Sequence, residues 1–227
     1  MRPASRGIRI GVLGGTLDPI HCGHLEAATA ARDALDLAHV LIVPSHVPPH
    51  RVQPAASPFH RFAMAALAVH GVPKLTVSDE ELRTPGPSYT ADTLDRLHAL
   101  GWSSSQIFFI VGADAFAEIA TWHRYPEVID LANFVVISRP GHALEELARR
   151  LPELAPRMKP ASGAKSAADL SILLLPAPTP DVSSTSVRER IGRGESIRGL
   201  VPPLVEAHIH QHGLYESRTA NQLHGEN

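Results

Sequence analysis

The corner that follows the first apolar run constrains this chain most. Residues 8–12 alternate and are β-branched, and the run stops at Gly14-Gly15. This reads as a buried strand feeding a tight loop. Residues 24–35 are alanine-rich helix formers, and residues 40–43 form a second short apolar run closed by Pro44. Strand, helix and strand in this order make a βαβ unit, with parallel strands and a right-handed crossover.

The pattern continues along the chain. Pro44, Pro48, Pro49, Pro54 and Pro58 exclude a helix over 44–58 and mark a surface loop. Helical patterns at 59–69, 90–100, 144–151, 187–192 and 203–212 alternate with strand candidates at 75–77, 107–111, 134–137 and 172–175. The alternation predicts an α/β fold, a doubly wound parallel sheet with helices on both faces. No linker divides the chain, so 1–216 is expected as one domain, with a frayed polar tail at 217–227. The small, polar stretch 160–169 is expected as a mobile loop.

Composition narrows the function classes. A net charge of -2 over 227 residues does not suggest a nucleic-acid binder. The lone Cys22 permits no internal disulfide. No run has the apolar length of a membrane span, and the first residues lack a signal-peptide core. These features together predict a cytoplasmic protein. Fourteen histidines are present, but neither HExxH nor paired CxxC occurs, so no protein metal ligands are predicted.

The chemistry begins at Gly14-Gly15-Thr16-Leu17-Asp18-Pro19-Ile20-His21-Cys22-Gly23-His24. Glycines after a first strand let a phosphate approach the backbone. His21 and His24, three residues apart at a helix start, can face one point. That point lies at the carboxyl end of the strand, where open α/β sheets bind ligands, and the helix N-terminus adds positive potential. A Walker A loop is excluded because the chain has no Gly-Lys pair, and Gly11-Val12-Leu13-Gly14-Gly15 does not fit GxGxxG.

Most other segments carry two readings. Ser184, Thr185 and Arg188 lie where a helix begins, with Ser186 and Glu189 at capping-box spacing; they form a plain cap or a phosphate site. Ser88, Tyr89 and Thr90 precede another helix, as a cap or as an anion site. Trp122, about three helical turns beyond strand 107–111, reads from its residue type as a core side chain. Gly112 and Asp114 end that strand; Asp114 caps the next helix or binds ribose hydroxyls. His50 and Arg51 are solvated loop cations, or they bind a phosphate and close on binding.

GGTLDPIHCGHL resembles the signature of the nicotinate-nucleotide adenylyltransferases, within the HxGH nucleotidyltransferases. Leu17 stands where phenylalanine is common, and Cys22 where an aromatic residue is common. Pro48-Pro49-His50-Arg51, Ser88-Tyr89-Thr90-Ala91-Asp92-Thr93-Leu94, Gly112-Ala113-Asp114 with Trp122, Arg139-Pro140-Gly141 and 182–188 extend the resemblance in order over most of the chain.

The resemblance implies adenylyl transfer from ATP to nicotinate mononucleotide, giving the deamido dinucleotide of the NAD pathway and pyrophosphate. It implies that His21, His24 and Arg188 are catalytic. It assigns Gly14, Gly15, Thr16, Gly112, Asp114, Ser184 and Thr185 to ATP. It assigns His50, Arg51, Ser88, Tyr89, Thr90, Trp122 and Arg139 to the mononucleotide. Tyr89 and Thr90 would meet the nicotinate carboxylate, and Trp122 the pyridinium ring. Mg²⁺ would arrive with ATP and need no dedicated protein ligands. The expected partners are the two substrates, with no nucleic acid or membrane, and homo-oligomerisation is left open.

Among rivals, HxGH transferases acting on pantetheine phosphate or a polyol phosphate should lack the combined SYT and GAD-tryptophan segments. A class I aminoacyl-tRNA synthetase needs a KMSKS-like loop that is not found. A redox protein with a dinucleotide fold is disfavoured by the missing GxGxxG. A non-catalytic relative is disfavoured by the intact His21, His24 and Arg188.

Overall fold

The central strands are near-continuous apolar runs, because a parallel sheet buries both of its faces. In the computed structural model, which describes residues 7–49, 53–138, 144–162, 170–177 and 179–216, the chain order is β1 (Ile10–Gly15), α1 (Cys22–Leu35), β2 (His39–Pro44), α2 (Pro58–Val69), β3 (Leu75–Val77), α3 (Thr90–Ala99), β4 (Ile107–Gly112), α4 (Ala113–Phe116), β5 (Asn133–Ser138), α5 (Leu144–Arg150), β6 (Met158–Pro160), β7 (Ile172–Pro176), α6 (Ser184–Gly192) and α7 (Pro203–Gln211). The seven strands form one sheet in the order β3-β2-β1-β4-β5-β7-β6. Every neighbouring pair is parallel.

Alternate residues feed two cores. Leu13, Ile42, Phe108, Ile110 and Val135 face one, against Ala28 and Ala31 of α1, Met64 of α2, Val187 of α6 and Val205 of α7. Val12, Leu41, Phe109, Phe134 and Val136 face the other, against Leu94 and Leu97 of α3, Phe116 of α4 and Leu147 of α5. Each such fully buried side chain contributes roughly 1.5–3 kcal/mol. That burial decides α3, whose 10 residues fall short of the roughly 12–15 that an isolated helix needs.

β1 leads outward to β2 and β3, and the chain then returns to pair β4 on the other side of β1. The reversal makes a switch point, with a crevice at the carboxyl ends of β1 and β4. Among the described residues, no helix is long and apolar enough to cross a membrane.

Several boundaries differ from expectation. β1 starts at Ile10, two residues later than the expected 8–12, and ends at Gly15, three residues later, because Gly14 and Gly15 stay paired with Val43 and Pro44. α1 and α6 begin earlier than expected, since their caps are His21 and Ser183. Trp122 does not end a three-turn helix. α4 has 4 residues, followed by a 3-10 turn at Ile119–Thr121 and a cis peptide bond before Pro126. β6, at 3 residues, is too short to show a period and pairs only with β7. The expected tail 217–227, residues 163–169 of the expected loop, and the candidate ligands His50, Arg51 and Arg139 lie outside the described residues.

Candidate active site

β1 brings the backbone to the crevice bare. A Cβ on Gly14 would lie 3.5 Å from the Phe109 ring, and one on Gly15 3.8 Å from Leu17, both ordinary contacts. At Gly11, by contrast, it would come within 2.9 Å of Val40 and 3.0 Å of Leu37. Packing therefore demands glycine at Gly11 and leaves Gly14 and Gly15 unexplained by the protein's own contacts.

The two histidines are held by the first turn of α1. His21, only 2 % exposed, is the N-cap in extended conformation. Its main-chain N–H donates to Nδ1 of His24 at 3.2 Å. Nδ1 is thus the acceptor, and the proton of the neutral His24 ring sits on Nε2. The two rings stack with centroids 3.7 Å apart. A Cβ on Gly23 would lie 3.1 Å from Nδ1 of His21 and 3.3 Å from Val182. The glycine inside HxGH therefore makes room for the His21 ring against the helix, a role the sequence reading did not assign.

α6 meets this corner head-on. The cap is Ser183, whose Oγ accepts from the N–H of Ser186 at 3.0 Å, while Ser186 Oγ accepts from the Ser183 N–H at 3.1 Å. The capping box is Ser183–Ser186 and corrects the Ser186–Glu189 spacing read from sequence. Ser184 Oγ donates to the Pro19 carbonyl at 2.9 Å, and Arg188 Nη1 to the Asp18 carbonyl at 2.6 Å. Arg188 Nη2 also lies 3.3 Å from Thr185 Oγ1. His21, His24, Ser184, Thr185 and Arg188 are thereby gathered around two helix N-termini, which attract anions.

Two buried charges fix the corner from beneath. Asp18 accepts from the N–H groups of Ala55 (2.8 Å) and Ala56 (3.1 Å) and from the Tyr215 hydroxyl (2.7 Å). Burial, with Asp18 beside it, pushes the Tyr215 phenol far up, so it stays a donor. Arg61 is 0 % exposed. Its guanidinium donates to the carbonyls of Thr16 (2.8 Å), Ser45 (2.6 Å), His46 (3.0 Å) and Ala56 (3.2 Å). Burial lowers its pKa, and Asp18, Tyr215 and Glu81 oppose that shift. The sequence reading missed both roles. Arg61 left a signal, a charge on the face that α2 buries through Met64, Ala65 and Ala68.

The other wall of the crevice comes from α3 and the turn after α4. Ser88 Oγ accepts from the His46 N–H at 2.8 Å, and the Ser88 N–H donates to the Val47 carbonyl at 2.8 Å, so this residue ties its loop to β2. Tyr89 is the N-cap of α3, and its ring stacks on His123 with centroids 4.2 Å apart. Arg124 reaches Asp95 at 2.5 Å and Asp92 at 3.8 Å. Trp122, half-buried, stands edge-on to Phe109 (6.1 Å) and Phe134 (6.5 Å). Trp122 packs against this core and remains half-exposed, next in the chain to the His123 that stacks on Tyr89. Thr90 opens α3, and Gly112 and the exposed Asp114 sit where β4 turns into α4. Beneath this wall lies Glu81, 7 % exposed and also missed by the sequence reading, which accepts from Thr93 Oγ1 at 2.6 Å. Burial pushes its carboxyl up, against the pull of Thr93 and Ser88.

Comparison with known proteins agrees with this architecture. The cytidylyltransferase-like family matches residues 12–190. A protein of Chromohalobacter salexigens named probable nicotinate-nucleotide adenylyltransferase is 41% identical over 220 residues, covering 93% of this chain and 97% of its own length. A Roseiflexus protein of the same name is 44% identical over 207 residues, covering 91% of this chain and 97% of its own. In three dimensions the chain is similar to the Plasmodium falciparum nicotinic acid mononucleotide adenylyltransferase complexed with NaAD. The TM-score is 0.71 at 17% identity, covering 92% of this chain and 97% of that one. The structural likeness is one of fold, and by sequence the chain belongs to the nicotinate-nucleotide adenylyltransferase family.

Proposed function

We propose that this chain transfers the adenylyl group of ATP to nicotinate mononucleotide, forming nicotinate adenine dinucleotide and pyrophosphate. The observation that carries this reading is the meeting of the α1 and α6 N-termini, with His24 and Arg188, at the switch point of the sheet. The names of the relatives support it.

A phosphate oxygen of the mononucleotide attacks the α-phosphorus of ATP. The bond from that phosphorus to the bridging oxygen breaks, and pyrophosphate leaves. The attacking phosphate is already an anion at neutral pH, so positioning and charge neutralisation supply the catalysis. In this reading, Nε2–H of His24, the His21 ring and Arg188 stabilise the charge that develops on the phosphates. Gly14, Gly15 and Thr16 let the triphosphate approach the backbone, and Ser184 and Thr185 hold it from α6. Gly112 and Asp114 take the ribose.

On the other wall, the N-terminal N–H groups of α3 at Tyr89 and Thr90 face the nicotinate carboxylate, with Ser88 holding their loop. Trp122 stacks on the pyridinium ring, and His50, Arg51 and Arg139 take phosphate. ATP enters as its Mg²⁺ complex. The corner fits phosphate rather than a hard cation, because the Asp18 carboxylate is already engaged by Ala55, Ala56 and Tyr215. The setting in this reading is the cytoplasm, with no nucleic acid or membrane partner.

The test is pyrophosphate release with ATP, Mg²⁺ and either the acid or the amide mononucleotide. Two N–H donors suit two carboxylate oxygens. A carboxamide must turn its NH₂ toward one of them, at a cost of roughly 1–3 kcal/mol. The helix N-terminus adds about 0.3–1 kcal/mol for the anion. The acid should therefore exceed the amide in kcat/KM by about tenfold or more. Equal values overturn the acid assignment, and no release from either substrate overturns adenylyl transfer.

A further inference from the structure

One cluster of side chains lies outside the adenylyl site. His60 stands in the first turn of α2, and His208 and His212 are four residues apart at the end of α7. That spacing puts both on one face of the helix. The His60 Nδ1 and His208 Nε2 atoms are 3.1 Å apart. One ring nitrogen from each of the three lies within 4.8 Å of the others. The ring centroids are 5.3, 4.9 and 4.5 Å apart. The three nitrogens thus converge on one point. The sequence reading predicted no metal ligands because it sought compact motifs, whereas His60 and His208 are 148 residues apart in the chain.

We infer that His60, His208 and His212 form a binding site for a divalent transition metal of the Zn²⁺ class that clamps α7 onto α2. Tetrahedral Zn²⁺ with Zn–N bonds of about 2.0–2.1 Å sets its nitrogens about 3.3–3.4 Å apart; the His60–His208 pair, at 3.1 Å, is already near that spacing, and the His212 ring must swing inward on its exposed side to reach it. Three imidazoles leave a fourth position for water. An all-nitrogen ligand set selects Zn²⁺ and its neighbours in the first transition row over Mg²⁺ and Ca²⁺, which take oxygen. His60 and His208 are half-buried and His212 is exposed, so the site opens to solvent on one side. Three residues beyond His212 lies Tyr215, whose hydroxyl holds Asp18. The clamp therefore fastens the segment that braces the phosphate corner, without supplying an atom to it.

The experiment uses the full chain stripped with EDTA and then dialysed free of it. Zn²⁺ is titrated in competition with a chromophoric chelator, and thermal unfolding is followed in parallel. The wild type should bind one equivalent that His60→Ala and His212→Ala both lose, with affinity reduced by about tenfold or more. At a hundredfold excess over Kd, Zn²⁺ should raise the wild-type Tm by about 5–10 °C. Mg²⁺ at the same concentration should not. Metal-free His212→Ala should melt with the metal-free wild type, because its side chain is exposed; this separates loss of metal from loss of fold. Equal Zn²⁺ binding by wild type and His212→Ala would overturn the inference, as would the absence of saturable Zn²⁺ binding to the wild type.

Discussion

The two walls of the crevice are built differently. The phosphate corner is tied from beneath by buried groups: Asp18 joins the turn before α2 to Tyr215, and Arg61 joins the segments after β1 and β2. The wall of α3 and Trp122 is seated on the core by Leu94, Leu97 and the buried Glu81–Thr93 bond, but its outer face is held by a ring stack between Tyr89 and His123 and by the partly exposed ion pairs of Arg124. Surface pairs of that kind contribute about 0–1 kcal/mol, whereas breaking a buried charged network costs several. The difference separates two tasks. The corner is held by a buried charged network, so disturbing it should cost stability. The outer face of the second wall can change with little effect on stability.

The largest expected effect is on the corner. Arg61→Met removes the donor from four carbonyls and leaves Asp18 short of a compensating charge. The loss should be about 3–5 kcal/mol, or a Tm lowered by about 6–20 °C in thermal unfolding. A shift within about 1 °C would mean that the corner does not depend on its buried guanidinium, and the contrast between the walls would collapse.

A smaller effect belongs to the second wall. Trp122→Ala should weaken mononucleotide binding by about 1–2 kcal/mol, the value of a desolvated cation on an aromatic face, while ATP binding stays near the wild-type value. Separate titrations of the two ligands check this. Matched losses for both, with a lower Tm, would assign Trp122 to the core alone.

The smallest effect sharpens the comparison through pH. Burial raises the Glu81 carboxyl above its ordinary value of 4.5, so the folded state holds its proton more tightly than the unfolded chain. The ionised group is a cost at neutral pH, relieved as pH falls through the raised value and gone below about 4.5. Glu81→Gln keeps the acceptor for Thr93. It should therefore melt above wild type near pH 8, and that margin should vanish as the solution is acidified past pH 4.5. A margin independent of pH would show that burial does not raise the Glu81 carboxyl above its unfolded value.

Much of this was legible in the sequence because it is local. The apolar runs of β1, β2, β4 and β5 carry their own signal, and the histidines of HxGH are placed by one turn of one helix. The convergence of α1 and α6 was visible through resemblance, and Ser184 and Arg188 do reach Pro19 and Asp18. What was not legible depends on distance along the chain. Tyr215 meets Asp18 across 197 residues, and Arg61 serves segments on both sides of β2. Gly23 was read as part of a pattern, although its reason is the His21 ring beside it. The caps slipped by a few residues because serines at 183, 184 and 186 all suit a cap.

The central claim is that the corner acts through the Nε2 proton of His24, which the bond to its Nδ1 orients. His24→Asn is the sharpest probe, since the amide oxygen can accept from the His21 N–H in place of Nδ1 while nothing replaces Nε2–H. The measurement is kcat for pyrophosphate release at saturating ATP and nicotinate mononucleotide, with Tm read on the same samples. The account predicts a fall in kcat of about 100-fold or more, the usual cost of removing a preorganised donor, with Tm close to wild type. A kcat near the wild-type value would contradict it.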